Sequence, residues 1–215
     1  MYVLFSLQPN ARGRSTDSNQ VHYDHHGDPS DFPNSTFVVG PGATSVLAHG
    51  LGGKGSHQHF EHDLLSKHKV VELQSPPGSA SREDQAAWKP IASVPHAYDI
   101  FNDGSAYILN CPGHLPGHIN LLCRMSEKKW LCLTGDAFHD PRLLSGEKEI
   151  GTWTDANSGE QLCIHHDPEG ARESIRRLRE LQGAGGEGVE VECVGAHDEG
   201  WVARNRAAFF PGTVK

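Results

Sequence analysis

The chain has 215 residues, of which 36% are hydrophobic, and a formal net charge of −8 at pH 7. This length is sufficient to bury one hydrophobic core, so we expect a single domain. The acidic balance and the absence of a run of Lys or Arg argue against binding to a nucleic-acid backbone. No stretch of the sequence reaches the length of a transmembrane helix, and the apolar N-terminal residues are too few for a signal peptide. We therefore expect a soluble, cytoplasmic protein without a membrane partner.

The apolar runs, taken in chain order, predict strands joined by short turns. Residues 35–40 (STFVVG) and 68–73 (HKVVEL) are β-branched runs followed by turn residues rich in Gly and Pro. Residues 97–110 predict a hairpin, because two apolar runs flank the turn sequence N-D-G. Residues 119–135 predict a second hairpin, whose nearly continuous apolar strands are typical of a buried sheet.

The clearest helix signal covers residues 167–182. Asp167 can cap this helix and Pro168 suits its first turn. Three apolar residues fall on one face of it: Ile175, Leu178 and Leu181. Residues 189–198 (VEVECVGAHD) then return as a strand. Strands followed by one or two helices and a last strand predict an α+β or layered α/β domain.

Polar segments follow the predicted strands at the points where those strands end. They are CPGHLPGHI at 111–119, LTGDAFHD at 133–140 and VGAHDEG at 194–200. Loops at strand ends are where a rigid scaffold presents chemical groups. With the segment at 20–28, four separate parts of the chain deliver His or Asp.

The densest polar segment is QVHYDHHGDPSDFP at 20–33. Its His22, Asp24 and His25 offer imidazole and carboxylate groups, which suit a borderline divalent metal such as zinc. Taken alone, the segment is better explained as a solvated turn in a chain with 15 His. The three segments at the later strand ends favour a metal site.

Other histidines have simpler interpretations. Residues 49–62 contain an H-x-H-x-x-H pattern, which could be a rival metal site. No strand end or carboxylate supports such a site there, and we interpret this segment as a flexible surface loop. Four further histidines adjoin the motif loops and are interpreted as neighbours of the ligands or as exposed residues: His114, His139, His165 and His166.

The four segments resemble the motifs of the metallo-β-lactamase superfamily in order and in rough spacing. The H-x-H-x-D-H motif of that family is similar to QVHYDHHGD at 20–28, and its P-G-H to LPGH at 115–118. Its strand-end G-D corresponds to Gly135-Asp136 and its last A-H to Ala196-His197. The sequence FFPG near the C-terminus resembles the fungal lactonase- and lactamase-like branch. The resemblance implies an α/β fold, the αββα sandwich of that superfamily.

The resemblance also implies a site for up to two zinc ions, with manganese or iron as alternatives. The implied ligands are His22 and His118 for the first metal, Asp24, His25 and His197 for the second, and a bridging Asp136 for both. Asp24 would have a catalytic role as well, because it would lie near the leaving group and could return a proton to it.

The chain departs from the family pattern in two ways. Gln20 stands where the family has its first histidine, and an amide oxygen is a weaker zinc ligand than an imidazole nitrogen. The family also has several strands before this motif. We therefore expect residues 1–20 to be a non-matching segment and residues 21–215 to be one incomplete, N-terminally truncated domain that lacks part of the first sheet. The sheet left uncovered would favour self-association.

The activity implied by the resemblance is metal-dependent hydrolysis by a metal-bound hydroxide. The substrate would be a small cyclic ester or amide, such as a lactone or lactam, or a thioester. Two alternatives remain open: a truncated, catalytically impaired pseudo-enzyme, and a mononuclear iron oxygenase that acts on thiols. Metal content separates the three, because they require about two zinc or manganese ions, no metal, and one iron, respectively.

Overall fold

The structure, a computed structural model, describes residues 4–5, 21–52, 59–76, 88–184, 189–209 and 212. The strands are β1 (Leu4–Phe5), β2 (Thr36–Val39), β3 (Lys69–Glu72), β4 (Trp88–Ile91), β5 (Val94–Asp99), β6 (Ala106–Asn110), β7 (Ile119–Arg124), β8 (Lys129–Gly135), β9 (Thr152–Thr154), β10 (Gln161–Cys163) and β11 (Glu190–Gly195). The α-helices are α1 (Ala43–His49), α2 (Pro141–Ser145), α3 (Pro168–Gly183) and α4 (Glu199–Arg204).

The described strands form two main sheets and one small hairpin. The first sheet has the order β1-β2-β3, in which β2 pairs antiparallel with β1 and parallel with β3. The second sheet has the order β11-β8-β7-β6-β5-β4 and is antiparallel except for the parallel pair β8 and β11. The hairpin is formed by β9 and β10.

The first sheet separates helix α1 from the second sheet. Phe37 and Val39 of β2 pack in one buried cluster with Val46 and Leu47 of α1. Val38, between them, points to the opposite face, because successive side chains of a strand alternate between the two faces. There it joins a different cluster, which contains residues of β6 and β7.

The second sheet is covered on both faces. Ile108 and Leu121 belong to the cluster that includes Val38 of the first sheet. Their chain neighbours Leu109 and Leu122 belong to the cluster that contains residues of α3, among them Ile175, Leu178 and Leu181. The layers are therefore helix, sheet, sheet and helix, and the predicted αββα sandwich is confirmed.

The expectation of an uncovered apolar sheet face is wrong for β6 and β7. Ile108 and Ile119, on the face toward the first sheet, are 0% and 1% exposed. The first sheet covers this face because Val38 of β2 and Leu73, the residue directly after β3, belong to the same cluster.

Most predicted elements are present. Both hairpins form, as β5–β6 and β7–β8, and Asn102 and Gly104 in the first turn have φ values of 55° and 69°. Helix α3 begins after Asp167, whose side chain accepts a hydrogen bond from the backbone N–H of Gly170. The α-helices and strands that the sequence did not predict are short: α1, α2, α4, β1, β4, β9 and β10.

The N-terminal segment contributes to the first sheet through β1, in which Leu4 pairs with Phe37. Residues 6–20, where we expected the boundary of the matching domain, lie outside the described residues, so that boundary stays a prediction. Among the residues that are described, no helix has the length and apolar character of a membrane-spanning segment.

Candidate metal centre

The first loop of the centre follows the buried Val21 and makes a single 3-10 turn, Tyr23–His25. The turn directs His22 and His25 inward, where each is 5% exposed, and leaves the Asp24 side chain 44% exposed. Asp28, which follows, stabilises the next turn, because its carboxylate accepts a hydrogen bond from the backbone N–H of Ser30 at 2.8 Å.

The second loop lies between β6 and β7 and is held between two helices. Gly113 has a φ of 130°, and a Cβ there would lie 2.1 Å from the backbone nitrogen of Ala171 in α3. Gly117 has a φ of 82°, and a Cβ there would lie 2.6 Å from the Cβ of Ala43 in α1. Only glycine fits at both positions, and the loop between them is fixed against both helix layers.

The remaining groups follow β8 and β11, which are parallel neighbours and therefore end at the same edge of the sheet. Asp136, directly after β8, is 3% exposed, and His139 follows it in the same loop. His197 follows β11, and its side chain is 46% exposed. The two strand ends are tied together, because the hydroxyl of Thr134 donates to the carbonyl of Val194 at 2.9 Å.

The carboxylate of Asp136 is surrounded by four imidazole rings. Its Oδ2 lies 2.9 Å from Nε2 of His25 and 3.4 Å from Nε2 of both His114 and His139. Its Oδ1 lies 3.2 Å from Nε2 of His197. Two ligand atoms of one four-coordinate zinc ion, each about 2.0–2.1 Å from the metal, lie about 3.3 Å apart. The distances from Asp136 to His114, His139 and His197 are close to this value.

The donor atoms fall into three overlapping sets, in each of which all atoms lie within 4.8 Å of one another. We call them the inner set, which is His22, His114 and Asp136; the outer set, which is Asp24, His25 and His197; and the third set, which is Asp136, His139 and His197. Five of the six ligands implied by the sequence are thus brought together. The exception is His118.

His118 does not belong to any of these sets, and His114 lies where His118 was expected. The Nδ1 of His118 donates a hydrogen bond to the carbonyl of Cys111 at 3.0 Å. The Nε2 of His114 lies 3.4 Å from Asp136 and 3.3 Å from Nδ1 of His22. The two histidines sit four residues apart in P-G-H-L-P-G-H, a repeat that hides which of them faces the carboxylate.

Sequence reasoning also missed the burial of neighbouring histidines. His165, at the end of β10, is 2% exposed, and its Nδ1 lies 3.3 Å from Nδ1 of His114. His139 contacts Asp136 directly. The one available signal was position, because both residues adjoin segments that follow strands.

The protonation states of these groups suit a metal centre. Burial lowers the pKa of His118 and of His165 to about 4, and it holds the pKa of His114 well below the usual value. Burial alone would raise the pKa of Asp136, but hydrogen bonds from His139 and His25 outweigh it and hold that pKa far below the usual value. The carboxyl is therefore ionised while these three rings are neutral, and both forms can bind a cation.

Two histidines outside the three donor sets also have a buried ring nitrogen without a partner. Nε2 of His118 and Nε2 of His165 are buried and have no hydrogen-bond partner among the described residues. A buried polar atom without a partner is costly, and such atoms mark positions where an ion or water completes the structure. With imidazole and carboxylate donors around it, the centre fits a divalent metal ion.

The centre opens to solvent through a cavity of about 300 Å³. Its lining residues are His22, Asp24, His114, Asp136, His139, Ile164 and His197. Ile164 is the one apolar side chain among them, and it lies between β10 and His165.

The rival segment 49–62 does not form a second centre in its described part. Its histidines at 49, 59 and 62 are exposed, and His57 lies outside the described residues. The described part of the segment contains no cluster of donors.

Comparison with known proteins defines the class to which this fold and centre correspond. The resemblance to the metallo-β-lactamase superfamily is confirmed, and the chain has the fold of that superfamily. A solved structure of the quorum-quenching N-acyl homoserine lactone hydrolase superimposes with a TM-score of 0.57. The alignment covers 92% of this chain and 62% of that one at 19% identity, which shows the fold alone. No family model matches the chain.

Individual relatives are similar over parts of their length. The chain is 37% identical over 145 residues to the cytochrome P450 monooxygenase mpaDE of Penicillium roqueforti. The aligned region covers 64% of this chain and 16% of that protein. It is 34% identical over 121 residues to the gamma-lactamase FDB1 of Fusarium pseudograminearum. The aligned region covers 55% of this chain and 27% of that protein. The chain therefore spans less than a third of the length of either relative.

Proposed function

We propose that the chain is a metal-dependent hydrolase that opens a small cyclic ester or amide, a lactone or lactam, or cleaves a thioester. The observation that carries this proposal is the buried Asp136 carboxylate, which four imidazole nitrogens surround within 3.4 Å beneath an open cavity. Relatives named gamma-lactamase and N-acyl homoserine lactonase support the substrate class.

In this proposal the inner and outer sets each hold one divalent cation, and Asp136 lies between them. Zinc is the proposed metal, because neutral imidazoles and carboxylates are its usual oxygen and nitrogen ligands. His114 replaces His118 as the partner of His22, because its Nε2 faces both His22 and Asp136. His118 would instead support the loop through its hydrogen bond to Cys111.

The residues around the cavity divide the catalytic work. A bound divalent cation would lower the pKa of a water molecule toward about 7 and polarise the substrate carbonyl. Asp24, whose carboxylate is partly exposed and lies 3.6 Å from Nε2 of His25, would return a proton to the leaving group. Ile164 would contact the apolar part of the substrate and exclude water from it.

The test is hydrolysis of a panel of lactones, lactams and thioesters by the full chain, with and without added zinc. We expect turnover that a chelator abolishes, that zinc restores, and that Asp136→Asn abolishes in a protein that still unfolds cooperatively. Turnover that survives chelation would contradict the proposal, as would the absence of turnover across the panel at two bound metals per chain. A folded chain that binds no metal and turns over no substrate would favour the pseudo-enzyme, and one bound iron would instead favour the thiol oxygenase.

Two further expectations are kept as predictions. A cytoplasmic location is one of them, and fractionation of the source cells tests it.

Self-association of the chain is the other prediction. Its remaining basis is β3, at the edge of the first sheet as described, where Val71 is 48% exposed. Size-exclusion chromatography of the chain and of Val71→Lys tests it, because a charge on an edge strand opposes pairing between copies.

A further inference from the structure

His139 has a position in the centre that neither the inner nor the outer set explains. It follows Asp136 by three residues, and its Nε2 lies 3.4 Å from Oδ2 of that carboxylate. Its ring stacks on that of His197, with centroids 5.5 Å apart and planes 12° apart. Its side chain is 24% exposed, and it lines the cavity beside both residues.

The separations at His139 are those of ligands around one ion. An N–H···O hydrogen bond has its donor and acceptor about 2.7–3.2 Å apart, most often about 2.9–3.0 Å, and the contact of Asp136 with His25, at 2.9 Å, has this length. The contact of Asp136 with His139 is longer than this range, at 3.4 Å, and its contact with His197 lies at the upper limit, at 3.2 Å. They approach the separation of about 3.3 Å between two donors of one four-coordinate zinc ion.

The surroundings of the ring also allow its Nε2 to act as a ligand. Nδ1 of His139 is buried and has no hydrogen-bond partner among the described residues. Nε2 faces the carboxylate of Asp136, so a cation bound between the two groups would take the place of the proton that they share.

We propose that His139 is a metal ligand and that the third set, Asp136, His139 and His197, binds a borderline divalent cation such as zinc or cobalt(II). This inference rests on the proposed function, because it concerns the same centre. The third set shares Asp136 and His197 with the sets already described. His139 therefore adds a nitrogen donor to the centre of a chain that has Gln20 where the family motif has its first histidine.

The test follows bound cobalt(II) by its visible and near-ultraviolet absorption in the full chain. In His139→Cys we expect a thiolate-to-cobalt charge-transfer band that the wild type lacks, because a thiolate at this position would bind the ion directly. In His139→Ala we expect zinc affinity, measured by competition with a chelator, to fall by about tenfold or more, since even partners of ligands contribute about 10–100-fold. His96→Cys is the matched control, because His96 is half-buried in β5 and belongs to none of the donor sets.

The outcomes separate this inference from the proposed function. A new charge-transfer band in His139→Cys, absent in His96→Cys, supports His139 as a ligand. Cobalt(II) bound with a wild-type spectrum in both His139→Cys and His139→Ala overturns it and leaves the proposed function standing. Failure of the folded wild-type chain to bind cobalt(II) or zinc overturns both.

Discussion

Nε2 of His114 lies 3.4 Å from Oδ2 of Asp136, although the two residues come from different loops, after β6 and after β8. His118, four residues farther along the chain, turns its Nδ1 toward the carbonyl of Cys111 instead. This contrast assigns different roles to two histidines in one short repeat, and substitutions can separate these roles.

We expect His114→Ala to remove zinc from the inner set and to lower the number of bound ions per chain. His118→Ala should keep the number of bound ions but lower the melting temperature, because it leaves the carbonyl of Cys111 buried without its donor, at a cost of about 1–3 kcal/mol. Elemental analysis and thermal melts of both variants give the comparison. Equal metal loss in both would show that the two roles are not separate.

Gln20→His should raise metal affinity at the inner set, because an imidazole replaces a weak amide oxygen. Position 20 lies outside the described residues, so this prediction rests on the sequence motif alone. Isothermal titration with zinc measures the change, and Gln20→Asn serves as the matched control. An unchanged affinity and stoichiometry in Gln20→His would refute the alignment of position 20 with the first histidine of the motif.

Phe60 stacks on the ring of His22, with centroids 5.4 Å apart and planes 18° apart. Because Phe60 is 9% exposed and belongs to the cluster between α1 and the first sheet, Phe60→Ala should destabilise the fold by about 3 kcal/mol. It should also weaken metal binding at the inner set, since the ring of His22 loses its support. Phe60→Leu should restore most of the stability without restoring the stacking. Urea denaturation and zinc titration measure the two effects, and equal zinc affinity in all three proteins would exclude a positioning role for Phe60.

Glu72 of β3 caps helix α1 from a distance in sequence. Its carboxylate accepts hydrogen bonds from the backbone N–H of Gly42 at 2.6 Å and from that of Thr44 at 3.1 Å, and from the Thr44 hydroxyl. Glu72→Ala should therefore lower the free energy of unfolding by about 1–2 kcal/mol, the usual effect of losing a helix cap. Glu72→Gln, which keeps one oxygen acceptor, should lose less. A loss in Glu72→Gln as large as that in Glu72→Ala would argue against the cap.

The protein should lose stability at alkaline pH through Cys111. Burial raises the pKa of this thiol to about 12, whereas the unfolded chain has a thiol pKa near 9. Above pH 9 the unfolded state releases the proton while the folded state keeps it, so the unfolded state binds fewer protons and stability falls as the pH rises. The loss should reach about 1 kcal/mol between pH 9 and pH 10 and continue toward pH 12. Urea denaturation at these pH values measures it.

Cys111→Ala should reduce this dependence on pH, and Cys123→Ala, at a half-buried position on β7, provides the control. If the two variants and the wild type lose stability in parallel between pH 9 and pH 10, the loss has another origin than Cys111.

Much of the fold was predictable because its signals are local. The apolar runs of β5 to β8 and the turn at Asn102 to Gly104 specify two hairpins without reference to the rest of the chain. Helix α3 is specified by its cap and by the spacing of Ile175, Leu178 and Leu181. Short elements such as α1 and the β9–β10 hairpin were not predictable, because α1 depends on Glu72 from β3 and the hairpin is largely exposed.

The sequence by itself determined that His or Asp follows several strands, and the order of those segments along the chain. Tertiary structure alone decided which side chains meet. His114 and His118 are both buried and lie in the same loop, so neither burial nor spacing distinguishes them. The choice depends on where β8 places Asp136 and on which carbonyl each ring can reach, and these are contacts between parts of the chain that local sequence patterns do not encode. The same reason applies to His139 and His165, which the fold brings to one carboxylate and its neighbours.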